Sequence, residues 1–186
     1  MSDLDSRVSE RFDATACAVE AYGVARTPIE EIAALRKSLV ALNGRRLPPS
    51  LLKHADHQTV LGIAAVSKAT TDFGWHDRSF DEWGVVAAPR FLGRLNSAAA
   101  IQRYRQSGVT GISPLIVATL PLHAVAGSLS LALQAHGLNY GVGGGHGHLA
   151  EALLAGLAAR DDNGVAGVWV VATQFSPEPV PKPPKV

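Results

Sequence analysis

The residues best placed to do chemistry lie in one tract, Asn139-Tyr140-Gly141-Val142-Gly143-Gly144-Gly145-His146-Gly147-His148, which runs on into Leu149-Ala150-Glu151-Ala152-Leu153. It reads as a short strand, a glycine turn, and a helix that His146 opens. Unpaired backbone N–H groups converge at a helix N-terminus, a geometry that activates nucleophiles and binds anions. Four glycines within residues 141–145 call for close backbone approach or positive φ. An imidazole at this point could move a proton or donate to an oxyanion. The backbone N–H groups of Gly145 and Gly147 and the ring of His148 are then the neighbouring substrate or oxyanion contacts.

Other chemistries fit the same tract less well. His146 and His148 are two residues apart, so a helix points them in different directions, although an extended turn would let both reach one metal. A zinc site needs three or four ligands, and His123 and His136 would join them only if the fold brought them close. No metal and no cofactor are expected. No Lys-Ser/Thr pair follows Gly145, so the phosphate loop fails. The dinucleotide fingerprint fails too, lacking its last glycine and standing too late in the chain. Ser113 precedes Pro114 without a nucleophile-elbow pattern, and loop capping is its expected role. Arg90, Arg94, Arg103 and Arg105 lie on or beside one expected helix. They read either as a solvated face or as a docking patch for an acidic partner. Trp75 and Trp83 flank an acidic loop and are expected to anchor packing.

The elements that must hold this tract alternate between strand and helix. Residues 14–24 have the small and β-branched character of a strand. Thr27-Pro28-Ile29-Glu30 starts a helix, with Thr27 as cap and Pro28 in the first position, and the helix is expected to stop at Asn43-Gly44. Residues 47–50 form a linker. Helices are expected over 51–70, 91–106 and 120–136, and strands over 83–88 and 165–173. A loop spans 108–114, the elbow helix spans 149–160, and a turn spans 161–164. The 120–136 helix is rich in Ala, Gly and Ser and suits the centre of a layered structure, where His123 and Gln134 would need partners. This alternation predicts an α/β layered fold.

Composition bounds the rest. A chain of 186 residues is most simply one domain, and 47% hydrophobic against 18% charged residues suits a well-formed core. A net charge of +1 gives no electrostatic reason for a nucleic-acid or anionic membrane partner. Cys17 is the single cysteine, which excludes an internal disulfide and suits a reducing cytoplasm. The start of the chain, Met1-Ser2-Asp3-Leu4-Asp5, lacks the basic-then-apolar pattern of a secretory signal. No apolar run reaches spanning length. A cytoplasmic protein is expected, with a disordered segment over 1–12, a domain over 13–175 and a proline-rich tail over 176–186.

From about residue 47 onward the chain resembles the N-terminal half of β-ketoacyl synthases, in the thiolase-like superfamily. It is most similar to the short "β-ketoacyl synthase-like, N-terminal" group found beside fatty-acid, polyketide and aryl-polyene pigment genes. Four stretches carry the resemblance. They are the polar lead into an early helix over 47–69, the serine-proline element Ile112-Ser113-Pro114, the helix over 122–137 with its Gly137-Leu138-Asn139 corner, and the elbow with its helix over 142–155. The resemblance implies a thiolase-like half-fold, a mixed sheet covered by helices, of which only the N-terminal half is present. It also places His146 where active members of the family carry their cysteine. The family's two decarboxylation histidines belong to the C-terminal half.

These departures shape the functional expectation. The resemblance implies a ketosynthase-like accessory subunit, comparable to a chain-length factor, that supports acyl elongation by a full-length partner ketosynthase or pairs with itself as a homodimer. Arg90, Arg94, Arg103 and Arg105 would then meet an acyl carrier protein. The alternative is a small acyl-thioester enzyme in which His146 is general acid–base or oxyanion donor.

Overall fold

A computed structural model describes residues 17–114, 116 and 122–178. The expected disordered segment over 1–12 and nearly all of the tail lie outside the described residues. Chain order gives a 3-10 turn Ile29–Glu31, α1 (Ile32–Ser38), β1 (Ala41–Leu42), β2 (Arg45–Arg46), α2 (Pro49–Lys53), α3 (His57–Asp72) and β3 (Trp83–Pro89). There follow α4 (Arg94–Ser107), a 3-10 turn Gly108–Gly111, α5 (His123–Leu133), β4 (Asn139–Gly141), α6 (His148–Asn163) and β5 (Gly167–Thr173).

The protein is mixed α/β. Its main sheet has the order β4-β3-β5, and both pairings are parallel, with Val86 opposite Tyr140 on one side and Val170 on the other. The expected mixed sheet is therefore wholly parallel over the described residues. Among the described residues the antiparallel pairing is confined to the small β1–β2 hairpin. Every residue of β3 is buried, as a central parallel strand requires. Its side chains alternate between two cores. Val85 and Ala87 join Trp169 and Val171 in packing against Ile63 and Val66 of α3 and Val125 and Leu129 of α5. Val86 and Ala88 join Val168 and Val170 against Ala152, Ala155 and Ala159 of α6. The period of two thus sorts one strand's residues onto both sides of the sheet.

At the amino ends of the strands stands an aromatic group. The ring centroids of Trp75, Phe80, Trp83 and Trp169 lie 5.1–6.0 Å apart, mostly edge to face. The Arg78 guanidinium covers Trp75 at 4.1 Å and Trp83 at 4.7 Å. Trp75 and Trp83 are packing anchors, as their spacing suggested.

Several local expectations are corrected. The expected strand over 14–24 is not found: its described part, residues 17–24, has no regular secondary structure and pairs with no strand among the described residues. Gly23 lies so close to the Ala65 carbonyl and the Ala69 backbone of α3 that the segment is laid along that helix instead of entering the sheet. Asn43-Gly44 does not cap a helix. Both residues have positive φ, 51° and 70°, and they turn the β1–β2 hairpin, as Asn-Gly pairs favour. Helix α1 consequently ends at Ser38. The expected 51–70 helix is divided at 54–56, because Asp56 Oδ1 caps α3 by accepting from the Gln58 N–H at 2.8 Å. The freed carbonyls of Leu52, Lys53 and Ala55 accept from the Arg36 guanidinium at 3.0, 3.2 and 2.9 Å. His123 and Gln134 are exposed, so the small-residue helix buries neither. Helix α6 runs on to Asn163, and Gly164 closes it at φ 59°.

Phe80, 1% exposed, touches all three tryptophans. Phe80→Ala should lower unfolding stability by about 3–5 kcal/mol. Urea titration checks this, and a loss below about 1 kcal/mol would show that the aromatic group is not part of the cooperative core.

Candidate functional site

The carboxyl ends of β3, β4 and β5 carry the candidate site, the edge where open parallel sheets place their ligands. Two helix N-termini reach the same edge. Gln58, in the first turn of α3, is fully buried and bridges two strand ends. Its Nε2 donates to the Arg90 carbonyl at 2.9 Å, and its Oε1 accepts from the Thr173 hydroxyl at 2.8 Å. The Arg90 N–H donates to the Thr173 carbonyl at 2.7 Å. These bonds fix the residue that leaves β3, and so fix where the Arg90 side chain starts.

The glycine tract forms the other wall. Gly143 and Gly144 have φ of 67° and 114°, values that favour glycine, so the chain can reverse between β4 and α6. The Phe91 N–H donates to the Gly144 carbonyl at 3.0 Å, and Phe91 itself has φ 49°. That conformation, with Gly93 at φ 68°, is why α4 starts at Arg94 and not at Phe91. The Arg90 and Arg94 guanidiniums both approach the Phe91 ring, each 5.4 Å from its centroid.

His146 sits in this wall but does not open the helix. Gly147 is the cap and His148 the first helical residue, so His146 stands in the turn ahead of α6 and is exposed. Arg90 Nη2 donates to His146 Nδ1 at 2.9 Å. A guanidinium has no acceptor, so Nδ1 must accept and the ring proton sits on Nε2. The ring also meets Phe91 edge to face, with centroids 6.1 Å apart. His148 is buried, and its Nδ1 has no hydrogen-bond partner among the described residues. The two histidines do not converge. Among the described residues no three His, Cys, Asp or Glu side chains gather in a way that could hold a metal ion.

The remaining expected site residues separate. Gly145 is half-buried and Gly147 exposed. The Glu151 carboxylate lies against both Gly143 and Gly147, so a side chain at Gly143 would run into it. That carboxylate complements the positive end of α6. Arg94, Arg103 and Arg105 are all on α4, and Arg90 lies beside it. At about 100° per residue, Arg94 and Arg105 share one side of the helix while Arg103 faces the opposite way. Cys17 is exposed in the extended segment before the first helix.

Sequence reasoning passed over Gln58, Phe91 and Glu178. The Glu178 carboxylate faces Arg90 Nε at 3.4 Å, with the two side chains only 15% and 21% exposed. For Phe91, a signal was present: a residue just beyond a buried apolar strand stands at the functional edge of a parallel sheet.

Among the described residues no helix is long and apolar enough to cross a membrane. The chain matches no protein-family model, and no curated protein matches it either.

The Gln58 bridge carries the site's framework. Gln58→Leu keeps the bulk and strands the Arg90 carbonyl and Thr173 hydroxyl without partners. It should cost about 1–3 kcal/mol in urea unfolding. An unchanged midpoint would mean that the two strand ends are held by other contacts.

Proposed function

We propose that the chain is a ketosynthase-like accessory subunit, built as a thiolase-type N-terminal half, that supports fatty-acid or polyketide-type elongation on a partner ketosynthase. The observation that carries this reading is how α6 distributes its side chains. The helix packs on the sheet through small residues, Ala152, Gly156 and Ala159, and Gly156 comes so close that an added Cβ would stand 2.6 Å from Val170. Leu149, Leu153 and Leu154 point outward, 52%, 50% and 68% exposed. A helix that buries alanines and shows leucines is arranged for a second apolar surface. This helix follows the turn that corresponds, by resemblance, to the ketosynthase elbow.

The chemistry of the turn favours a supporting role. It carries no thiol, since the single cysteine lies far along the sequence. An imidazole forms thioesters poorly compared with a thiolate. Glu151 holds negative charge beside Gly143 and Gly147, where a developing oxyanion would need donors alone. One observation favours the alternative, an acyl-thioester enzyme using His146: Arg90 orients the ring as a third group orients a catalytic base.

Two measurements separate these readings. Co-expressed with a ketosynthase of the same organism, the wild-type chain should co-purify with it, and Leu153→Asp combined with Leu154→Asp should weaken the association by roughly tenfold or more. Product formation by the pair should be unchanged in His146→Ala. Turnover of an acyl-carrier or CoA thioester by the isolated chain, lost in His146→Ala, would replace the accessory role with the enzymatic one.

A further inference from the structure

Arg90 and Glu178 make an ion pair of unusual quality at the carboxyl edge of the sheet. Arginine–carboxylate pairs are frequently bidentate, with two parallel N–H···O bonds at about 2.7–2.9 Å. Here the closest approach, Nε to Oε1, is 3.4 Å. Among the described residues, Arg90 Nε and both Glu178 carboxylate oxygens are shielded from solvent and meet no hydrogen-bond partner. The guanidinium is anchored elsewhere: its backbone is fixed by Gln58 and Thr173 and Nη2 donates to His146 at 2.9 Å, while Nη1 stands at a long 3.4 Å from Gln174 Oε1. The receiving side is thus held at its backbone and at Nη2, and the occupant meets it only at long range.

We infer that Arg90, flanked by His146, Gln174 and the Phe91 ring, is a binding site for the carboxylate of a small organic acid, and that Glu178 occupies it in cis. The carboxylate class follows from the occupant itself. A planar carboxylate is what the structure already places against the fork, and a guanidinium matches it in shape and charge. The tether explains the poor fit. Glu178 is carried on the short segment that leaves β5 and reaches Nε at one oxygen, whereas a free acid could settle at bidentate distance. The Phe91 ring beside the guanidinium offers an apolar surface for the body of such an acid. Two other described carboxylates of these elements have their own partners. Asp56 accepts from the Gln58 N–H and from Asn96, and Glu151 lies against the glycine turn. This inference does not depend on the accessory-subunit reading.

The test is a titration with acetate, followed through the Arg90 Nε–H signal in a proton–nitrogen correlation spectrum. Glu178→Gln removes the competing charge and should bind acetate about tenfold more tightly than wild type, as expected if Glu178 holds the site roughly nine-tenths of the time. Adding Arg90→Lys to Glu178→Gln keeps the charge but loses the fork, and should abolish the gain. Equal acetate affinity in wild type and Glu178→Gln would overturn the site. So would a gain that survives Arg90→Lys. Inorganic phosphate binding in preference to acetate would overturn the carboxylate assignment. Should Glu178→Gln fail to fold, wild type titrated with hexanoate decides: saturable movement of Arg90 Nε–H supports the site, and an unmoved signal refutes it.

Discussion

Everything in this fold answers to one constraint, that β3 is buried along its whole length. A strand with no exposed residue needs partners at both edges and cover on both faces. Strands β4 and β5 supply the edges. Helices α3 and α5 cover one face, and α6 covers the other. The two cores differ in material. Branched and aromatic side chains fill the side of α3 and α5, while α6 meets the sheet through alanines and Gly156, so α6 lies close to the sheet. The closeness leaves little apolar bulk buried on that side, and the leucines of α6 face outward instead.

Parallel connectivity then decides where chemistry can gather. Each strand must return to the same end of the sheet, so the loops leaving β3, β4 and β5 meet at the carboxyl edge. Arg90, the glycine turn and the segment carrying Glu178 come from three distant parts of the sequence. Gln58 ties two of those exits together from inside the protein. Its amide can donate and accept at once, and both bonds are shielded from water, so neither strand end can shift alone.

Much of this arrangement was legible in the residues. The strand at Trp83, the strand–glycine turn–helix order around Val142, the apolar strand at Val168 and the anchoring tryptophans follow from periodicity and turn chemistry, and they are found. Two kinds of signal were misread. Asn43-Gly44 ends a helix or turns a hairpin with equal local ease, and only the partner strand decides between them. The strand–glycine turn–helix order puts His146 at the opening of the helix, yet Gly147 is the cap, so His146 stands in the turn two residues ahead of α6. Residues 14–24 have the composition of a strand, but Gly23 is packed against α3, a tertiary choice that no local pattern encodes. The Arg90–Glu178 and Arg90–His146 contacts join residues far apart in sequence, so spacing could not reveal them.

All three tryptophans sit at the amino end of the sheet, within one group of touching rings. Rings this close exchange excitation, so the protein's intrinsic emission behaves as a single optical probe. That probe looks only at the pole opposite Arg90 and His146. Events at the carboxyl edge will pass unseen in fluorescence unless the whole sheet responds, and an emission change on adding a ligand therefore reports a change in the fold and not occupancy of the site.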